Sequence, residues 1–206
     1  MAQYADIAYW DRRYERMPQP FEWYQGYKDL KETLMKFMRP NSRILIEGCG
    51  TSTLGEELYD EGSFSDITCV DLSKIAIRLM EERRRSRMGL NYLVMDMEKL
   101  EFPPEVFDVV LDKATVDSIL CSGDEEKAQK SVGKMLNEAY QVLKKAGVFL
   151  LFSHTKEGRM DMLQKDNLKW AVQHVPLPRP ENKLTANIDE TDPELAQHHL
   201  FVCTKY

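Results

Sequence analysis

The order of strand-like and helical runs from Ser42 onward predicts an α/β fold: a Rossmann-like seven-stranded, mostly parallel sheet with an antiparallel C-terminal strand and helices on both faces. Three observations carry this prediction. Short β-rich runs alternate with helical patterns through the middle of the 206-residue chain. The run Val148-Phe149-Leu150-Leu151-Phe152 is apolar throughout, as a central strand covered on both faces requires. The last two β-rich runs follow one another with no helical crossover between them, so they can pair antiparallel.

Ahead of the sheet, Asp6 to Arg16 and Tyr27 to Phe37 read as two helices joined by Pro18-Gln19-Pro20. Arg43-Ile44-Leu45-Ile46-Glu47 is the first strand, and a Gly-rich turn leads into a helix over Ser52 to Asp60 that Gly62 stops. Ile67-Thr68-Cys69-Val70-Asp71 is the second strand. Ser73 caps a helix from Lys74 to Ser86, in which Ile75, Ile77, Leu79 and Met80 partly follow the helical period. Asn91 to Met95 forms the third strand and Phe107 to Leu111 the fourth, behind the Pro103-Pro104 turn. Glu125 to Lys145 is a long amphipathic helix, with Val132, Met135, Leu136, Ala139, Val142 and Leu143 on its buried face and Gly147 at its end. Trp170 to Val175 and His199 to Cys203 complete the sheet, with a Pro-rich, acidic connection from Pro176 to Ala196 between them.

Length fits a single domain, 1–206. No apolar run approaches the roughly 20 residues of a membrane span, and the first residues lack a signal-peptide pattern, so a cytoplasmic protein with no membrane partner is expected. Cys49, Cys69, Cys121 and Cys203 lie far apart with no CxxC pair, which disfavours a disulfide framework and reads as buried filler. The net charge of −6 sets the average field against a nucleic-acid partner. Arg83, Arg84, Arg85 and Arg87 fall near a helix end, where cations offset the helix dipole. His154, His174, His198 and His199 have no metal-ligand spacing, and no metal is implied.

The chemistry concentrates at strand ends. Glu47-Gly48-Cys49-Gly50-Thr51-Ser52 closes the first strand and Asp71 the second. Glycines let a nucleotide approach the backbone, and a strand-end carboxylate accepts hydrogen bonds from both ribose hydroxyls. The dinucleotide pattern G-x-G-x-x-G fails here, because Thr53 stands in the third glycine's place and Gly55 comes two residues late. A phosphate-binding G-x-x-x-x-G-K-[ST] run is absent as well. S-adenosyl-L-methionine, a cofactor without phosphate, asks for the groups that are present. Glu47 and the Gly48 carbonyl can meet its ammonium beside Gly50, Asp71 its ribose, Asp96 its adenine amino group and Met97 the adenine face. The product would be S-adenosyl-L-homocysteine. A dehydrogenase-like or non-catalytic nucleotide binder is the competing reading.

Tyr9-Trp10-Asp11-Arg12-Arg13-Tyr14, Phe21-Glu22-Trp23-Tyr24, the Gly48 to Ser52 turn and Leu111-Asp112-Lys113-Ala114-Thr115-Val116-Asp117 resemble the elongation factor 1-alpha lysine methyltransferases. These are the seven-strand class I group that includes methyltransferase-like protein 13 and the endothelin-converting enzyme 2 methyltransferase domain. The resemblance covers residues 4–152. It implies that Trp10, Tyr14, Trp23, Gly48, Asp71, Leu72, Asp96, Met97 and Lys113 bind the cofactor, with residues 1–40 as a helical lid on a 41–206 core. Trp10, Tyr14 and Trp23 then offer aromatic faces to the sulfonium and polar edges to the carboxylate, or they clasp the leading helices to the sheet. Lys113 is expected to contact the cofactor through its backbone, with its ammonium toward the methionine carboxylate or solvent. Ala114 stands where the resemblance has glycine.

The implied acceptor is an accessible lysine on a protein, elongation factor 1-alpha, methylated by a monomeric enzyme. Displacement at a sulfonium methyl needs positioning and a neutral amine, and a lysine of reference pKa about 10.4 costs about 4 kcal/mol to present uncharged. Asp112 and Asp117 are candidates to orient the amine or relay its proton. The structural alternatives are that Asp117 caps the following helix and Asp112 holds the strand end. Tyr24 can add a hydroxyl near the acceptor. Glu181, Asp189, Glu190, Asp192 and Glu194 can attract a basic substrate surface or simply be solvated. A small amine or thiol as acceptor, or a cofactor-binding module without turnover, are the competing functions.

Overall fold

The computed structural model describes residues 2–180 and 197–206. The expected acidic attraction by Glu181, Asp189, Glu190, Asp192 and Glu194 lies outside the described residues. Seven strands form one sheet: β1 (Ile44–Glu47), β2 (Ile67–Asp71), β3 (Leu90–Val94), β4 (Phe107–Lys113), β5 (Leu143–Ser153), β6 (Trp170–Pro178) and β7 (Gln197–Lys205). Their order is β3-β2-β1-β4-β5-β7-β6, and β7 runs antiparallel to both of its neighbours. The predicted α/β architecture is therefore found, including its antiparallel C-terminal strand.

The helices are α1 (Ile7–Arg16), α2 (Tyr27–Leu34), α3 (Leu54–Asp60), α4 (Lys74–Arg84), α5 (Thr115–Leu120), α6 (Glu125–Val142) and α7 (Arg159–Leu163). Alternation along each strand sends successive side chains to opposite faces. Ile44 and Ile46 join a core with Leu30, Leu58 and Met80 from α2, α3 and α4. Leu45 joins one with Val116, Val132, Leu136 and Leu163 from α5, α6 and α7. Each such fully buried side chain contributes about 1.5–3 kcal/mol relative to exposure. Among the described residues no helix is long and apolar enough to cross a membrane.

Local signals set the boundaries. Asp6, Ser73 and Asp124 cap α1, α4 and α6, each accepting a backbone N–H of the first turn. The long helix ends earlier than Gly147, at Val142. Leu143 instead pairs with Phe107 across β4, and left-handed Ala146 (φ 60°) takes up the extra residues before Val148 pairs with Val109. A strand partner outweighs helix propensity at this position. The late connection is also shorter than expected, since β6 continues to Pro178, opposite Gln197. Three cysteines are buried as predicted, whereas Cys121 at the end of α5 is half-buried.

Strand order reverses between β1 and β4. In open α/β sheets ligands bind at such a point, outside the carboxyl ends of the strands.

Candidate active site

A cavity of about 250 Å³ opens at that point. Glu47, Gly48 and Gly50 from the end of β1, Asp71 and Leu72 from the end of β2, Met97, and Lys113 from the end of β4 line it, together with Trp10, Tyr14 and Trp23 from the leading segment. Of the candidate cofactor residues only Asp96 is outside this wall. It is exposed, and its carboxylate accepts the Glu98 N–H at 2.9 Å. Tyr4, Phe21, Thr115 and Ser118 also line the cavity. Sequence spacing gave no signal for them, because the strand-end rule does not reach residues brought in by the leading segment and by α5.

The turn is shaped by its glycines. Gly48 and Gly50 are left-handed (φ 57° and 50°), and a Cβ on Gly50 would lie 2.7 Å from the Tyr14 hydroxyl oxygen. Arg83 on α4 clasps the same turn, donating to the Thr51 and Ser52 carbonyls at 3.1 Å each and pairing with Glu56 at 2.7 Å. The basic run thus serves the turn and its ion pairs. Asp71 accepts the Gly50 N–H and the Ser73 N–H, each at 2.8 Å. Burial raises its pKa and those two N–H groups oppose the rise, so the carboxylate is held in place with lone pairs left toward the cavity.

Glu47 is fully buried, and neither carboxyl oxygen has a hydrogen-bond partner among the described residues. Burial, then the nearby Asp112 and Glu138, push its pKa well above the usual carboxylate range. A buried polar group without a partner costs about 1–3 kcal/mol. A cation placed in the cavity would relieve that cost and restore the charged form.

The aromatic wall is a stack. Trp10 lies between Tyr4 and Tyr14, with ring centroids 5.8 Å from each, and Trp23 meets Trp10 edge-on at 6.3 Å. The indole N–H of Trp10 donates to the Tyr4 carbonyl at 2.8 Å, so this polar edge is engaged within the protein and is not free for a ligand carboxylate. All three of these expected aromatics line the cavity.

Lys113 departs from its expected orientation. Its ammonium points neither to solvent nor to a free ligand position. It donates to Glu22 Oε2 at 2.6 Å and to the Trp23 carbonyl at 2.8 Å, because a buried ammonium needs a counter-charge. Burial works against Glu22, yet Lys113 holds its carboxyl below the ordinary range. Glu22 also accepts the Thr53 N–H at 2.5 Å. Residues 21–25 therefore form a strap latched to the glycine turn and to β4. Glu22 was legible only as part of a motif, with no signal for its partner.

Asp112 and Asp117 are both buried, and neither is among the cavity-lining residues. Asp112 sits opposite Glu47 across the β1–β4 pair and accepts the Val116 N–H at 3.3 Å, which is the strand-end role. Burial, then Asp117, push its pKa up to about 8. Asp117 caps no helix, since it lies in the first turn of α5 behind left-handed Ala114 (φ 81°). Its Oδ2 accepts the Tyr24 hydroxyl at 2.5 Å and its Oδ1 accepts Arg159 at 2.8 Å. Burial would raise its pKa, but His154, Arg159 and Tyr24 together hold it far below the carboxylate range. Environments that push two neighbouring acids apart in this way are common at catalytic sites. Among the described residues no group of three or more His, Cys, Asp or Glu is arranged to hold a metal ion.

A reversed parallel sheet with an acid, two left-handed glycines and a second strand-end acid around an aromatic-walled cavity defines a class I methyltransferase that uses S-adenosyl-L-methionine. Comparison with known proteins agrees. The methyltransferase-domain family model matches residues 38–197, and the chain belongs to that family. It is 38% identical over 174 residues to the eEF1A lysine and N-terminal methyltransferase of Bos taurus, covering 84% of this chain and 24% of that protein. It is 33% identical over 180 residues to the EEF1A lysine methyltransferase 4 of Bos taurus, covering 83% and 70%. The chain thus spans about a quarter of the length of the former relative. Haemonchus contortus phosphoethanolamine N-methyltransferase 2, solved with S-adenosylhomocysteine, shares the fold with a TM-score of 0.68 at 17% identity, over 98% of this chain and 58% of that one.

Proposed function

We propose that this domain is a protein-lysine N-methyltransferase whose substrate is elongation factor 1-alpha. The observation that carries the donor half is the buried, partnerless Glu47 carboxyl in the aromatic-walled cavity. The acceptor half is supported by the relatives that bear that substrate in their names. Glu47 and the Gly48 carbonyl would hold the cofactor's ammonium, Asp71 its ribose hydroxyls, and Leu72, Asp96 and Met97 its adenine, with Trp10, Tyr14 and Trp23 closing over it. When bound, the cofactor supplies an electrophilic methyl group on a sulfonium.

The chain's own contribution is positioning and exclusion of water. The aromatic stack shields the cavity, the Glu22–Lys113 pair fastens the strap, and residues 1–40 act as the lid on the 41–206 core. Action as a monomer in the cytoplasm is part of this reading. Asp112 and Asp117 lie one layer behind the wall and serve the acceptor side through the groups that they hold.

Incubation with radiolabelled donor and a eukaryotic lysate tests this reading. A labelled protein band yielding methyl-lysine on hydrolysis is expected, and Asp71→Ala should leave it unlabelled. Absence of any labelled protein with the wild-type chain would overturn the reading.

A further inference from the structure

One ionisable group on the acceptor side has no role in the account above. His154 is the first residue beyond β5, and this sheet edge adjoins the end of β4, where the Ala114 N–H donates to the Phe152 carbonyl at 3.3 Å. The His154 backbone N–H and its ring Nδ1 both meet Asp117 Oδ2 at 2.9 Å, so the ring is held at two points. The same oxygen accepts the Tyr24 hydroxyl. Asp117 Oδ1 is fixed from behind by the Ser153 hydroxyl at 2.7 Å and by Arg159 at 2.8 Å.

This contact decides the tautomer. An ionised carboxylate only accepts hydrogen bonds, so Nδ1 must carry the hydrogen, and Nε2 of the neutral ring then presents a lone pair. Nδ1 is the ring nitrogen with a partner, and Nε2 has none among the described residues. The side chain is 52% exposed. Lys113, which lines the cavity, pairs with Phe152, two residues before His154, and Tyr24, which shares Asp117 Oδ2 with the ring, adjoins the cavity-lining Trp23. The ring therefore stands at the carboxyl end of β5 beside the strap, outside the cavity wall.

The neighbouring groups are poorly suited to accept a proton. Asp117 is saturated by five donors. Asp112 is fully buried, outside the cavity wall, and protonated at neutral pH by its upward shift. The Tyr24 hydroxyl is kept protonated by burial and by Asp117, to which it donates. Glu47 belongs to the cofactor's ammonium.

We propose that His154, oriented by Asp117, is the base of the reaction: its Nε2 takes a proton from the ammonium of the acceptor lysine. The inference rests on the amine-methylation reading above. The proton passes from lysine Nζ to Nε2, and the freed lone pair forms the C–N bond as the C–S bond breaks with its electron pair going to sulfur. The positive charge of the sulfonium ends on the methylated nitrogen. The imidazolium, balanced by Asp117, returns its proton to solvent at its exposed edge. The charged and titratable groups facing this centre are Asp117 from α5, Arg159 from α7, Tyr24 from the strap, and His198 from β7, whose ring lies 4.7 Å from that of Tyr24.

The test compares wild type with His154→Ala at saturating radiolabelled donor, measuring initial methyl incorporation into lysate protein between about pH 6 and pH 9. General-base loss predicts a rate lower on the order of 100-fold and partial rescue by added imidazole. S-adenosylhomocysteine affinity by calorimetry should stay within about 2-fold, a change of less than about half a kcal/mol. A variant within about 3-fold of wild type would overturn the proposal, since general-base catalysis contributes at least about 100-fold. Nitrogen-15 NMR of the donor-free wild-type protein provides a readout that needs neither turnover nor a folded variant. A ring protonated at Nδ1 and bare at Nε2 is expected, and the opposite tautomer overturns the proposal. Wild type that labels no protein sinks the parent reading and this one together, whereas active wild type with an indifferent variant sinks this one alone.

Discussion

Replacing Asp117 with alanine strips five hydrogen-bond donors of their common acceptor: the Tyr24 and Ser153 hydroxyls, the His154 N–H and Nδ1, and the Arg159 guanidinium. The Arg159 side chain is only 9% exposed, and breaking a buried ion pair from one side costs about 3–5 kcal/mol. Ser153, fully buried, adds about 1–3 kcal/mol, and water entering the vacated space offsets part of this. A net loss of about 4 kcal/mol follows, and for a chain of this length that corresponds to a fall in Tm of roughly 8–16 °C. Urea denaturation of both proteins at neutral pH measures it. Arg159→Met in the Asp117→Ala background should recover part of the loss, because the stranded charge is gone. The stability from Asp117 is present above the unfolded carboxylate value of about 3.9 and is lost as pH falls through its much lower folded value, so the gap should close only below about pH 4. A loss under about 1 kcal/mol, the range of a surface ion pair, would refute the claim that Asp117 is a buried hub.

Asp112 should show the opposite pH behaviour. With its folded value near 8 and its unfolded value near 3.9, the native state holds a proton that the unfolded chain has lost. Stability should therefore fall as pH rises between these values and Asp112→Asn should flatten that slope. Parallel pH profiles of the urea midpoint for the two proteins would count against it. Glu22→Gln removes the counter-charge of the buried Lys113 ammonium, leaving it only neutral acceptors, and should lower stability by about 3 kcal/mol. It should also speed S-adenosylhomocysteine release in stopped-flow measurements, and an unchanged off-rate would argue that the strap does not gate the cavity. Gly50→Ala forces a left-handed alanine, at about 1–2 kcal/mol, against the Tyr14 hydroxyl. Calorimetry should find cofactor-product affinity reduced at least about tenfold, and wild-type affinity would contradict the assigned geometry of the turn.

The sheet was legible because its determinants are local. Val148 to Phe152 announces a central strand through composition alone, and Asp6, Ser73 and Asp124 cap helices at positions where short side-chain contacts suffice. The Gly48–Gly50 turn and Asp71 were legible for a related reason, since a strand end is a fixed address in this architecture. What the chain order hides is long-range pairing. Nothing in Lys113 reveals that its ammonium is bound to Glu22, 91 residues earlier. Nothing in His154 reveals that Asp117, 37 residues before it, fixes its tautomer. Leu143 is helical by periodicity and becomes a strand only because Phe107 lies opposite. Asp96 is picked by the same strand-end rule, and its neighbours in the chain do not reveal that its Oδ1 accepts the Glu98 N–H.

The most direct test of the central claim is mass spectrometry of purified elongation factor 1-alpha after incubation with the wild-type chain and S-adenosyl-L-methionine. The account predicts one or more methyl groups on a lysine side chain, dependent on donor and absent with Asp71→Ala. Methylation confined to the amino terminus, or a factor left unmodified by wild-type chain that binds S-adenosylhomocysteine, would contradict it.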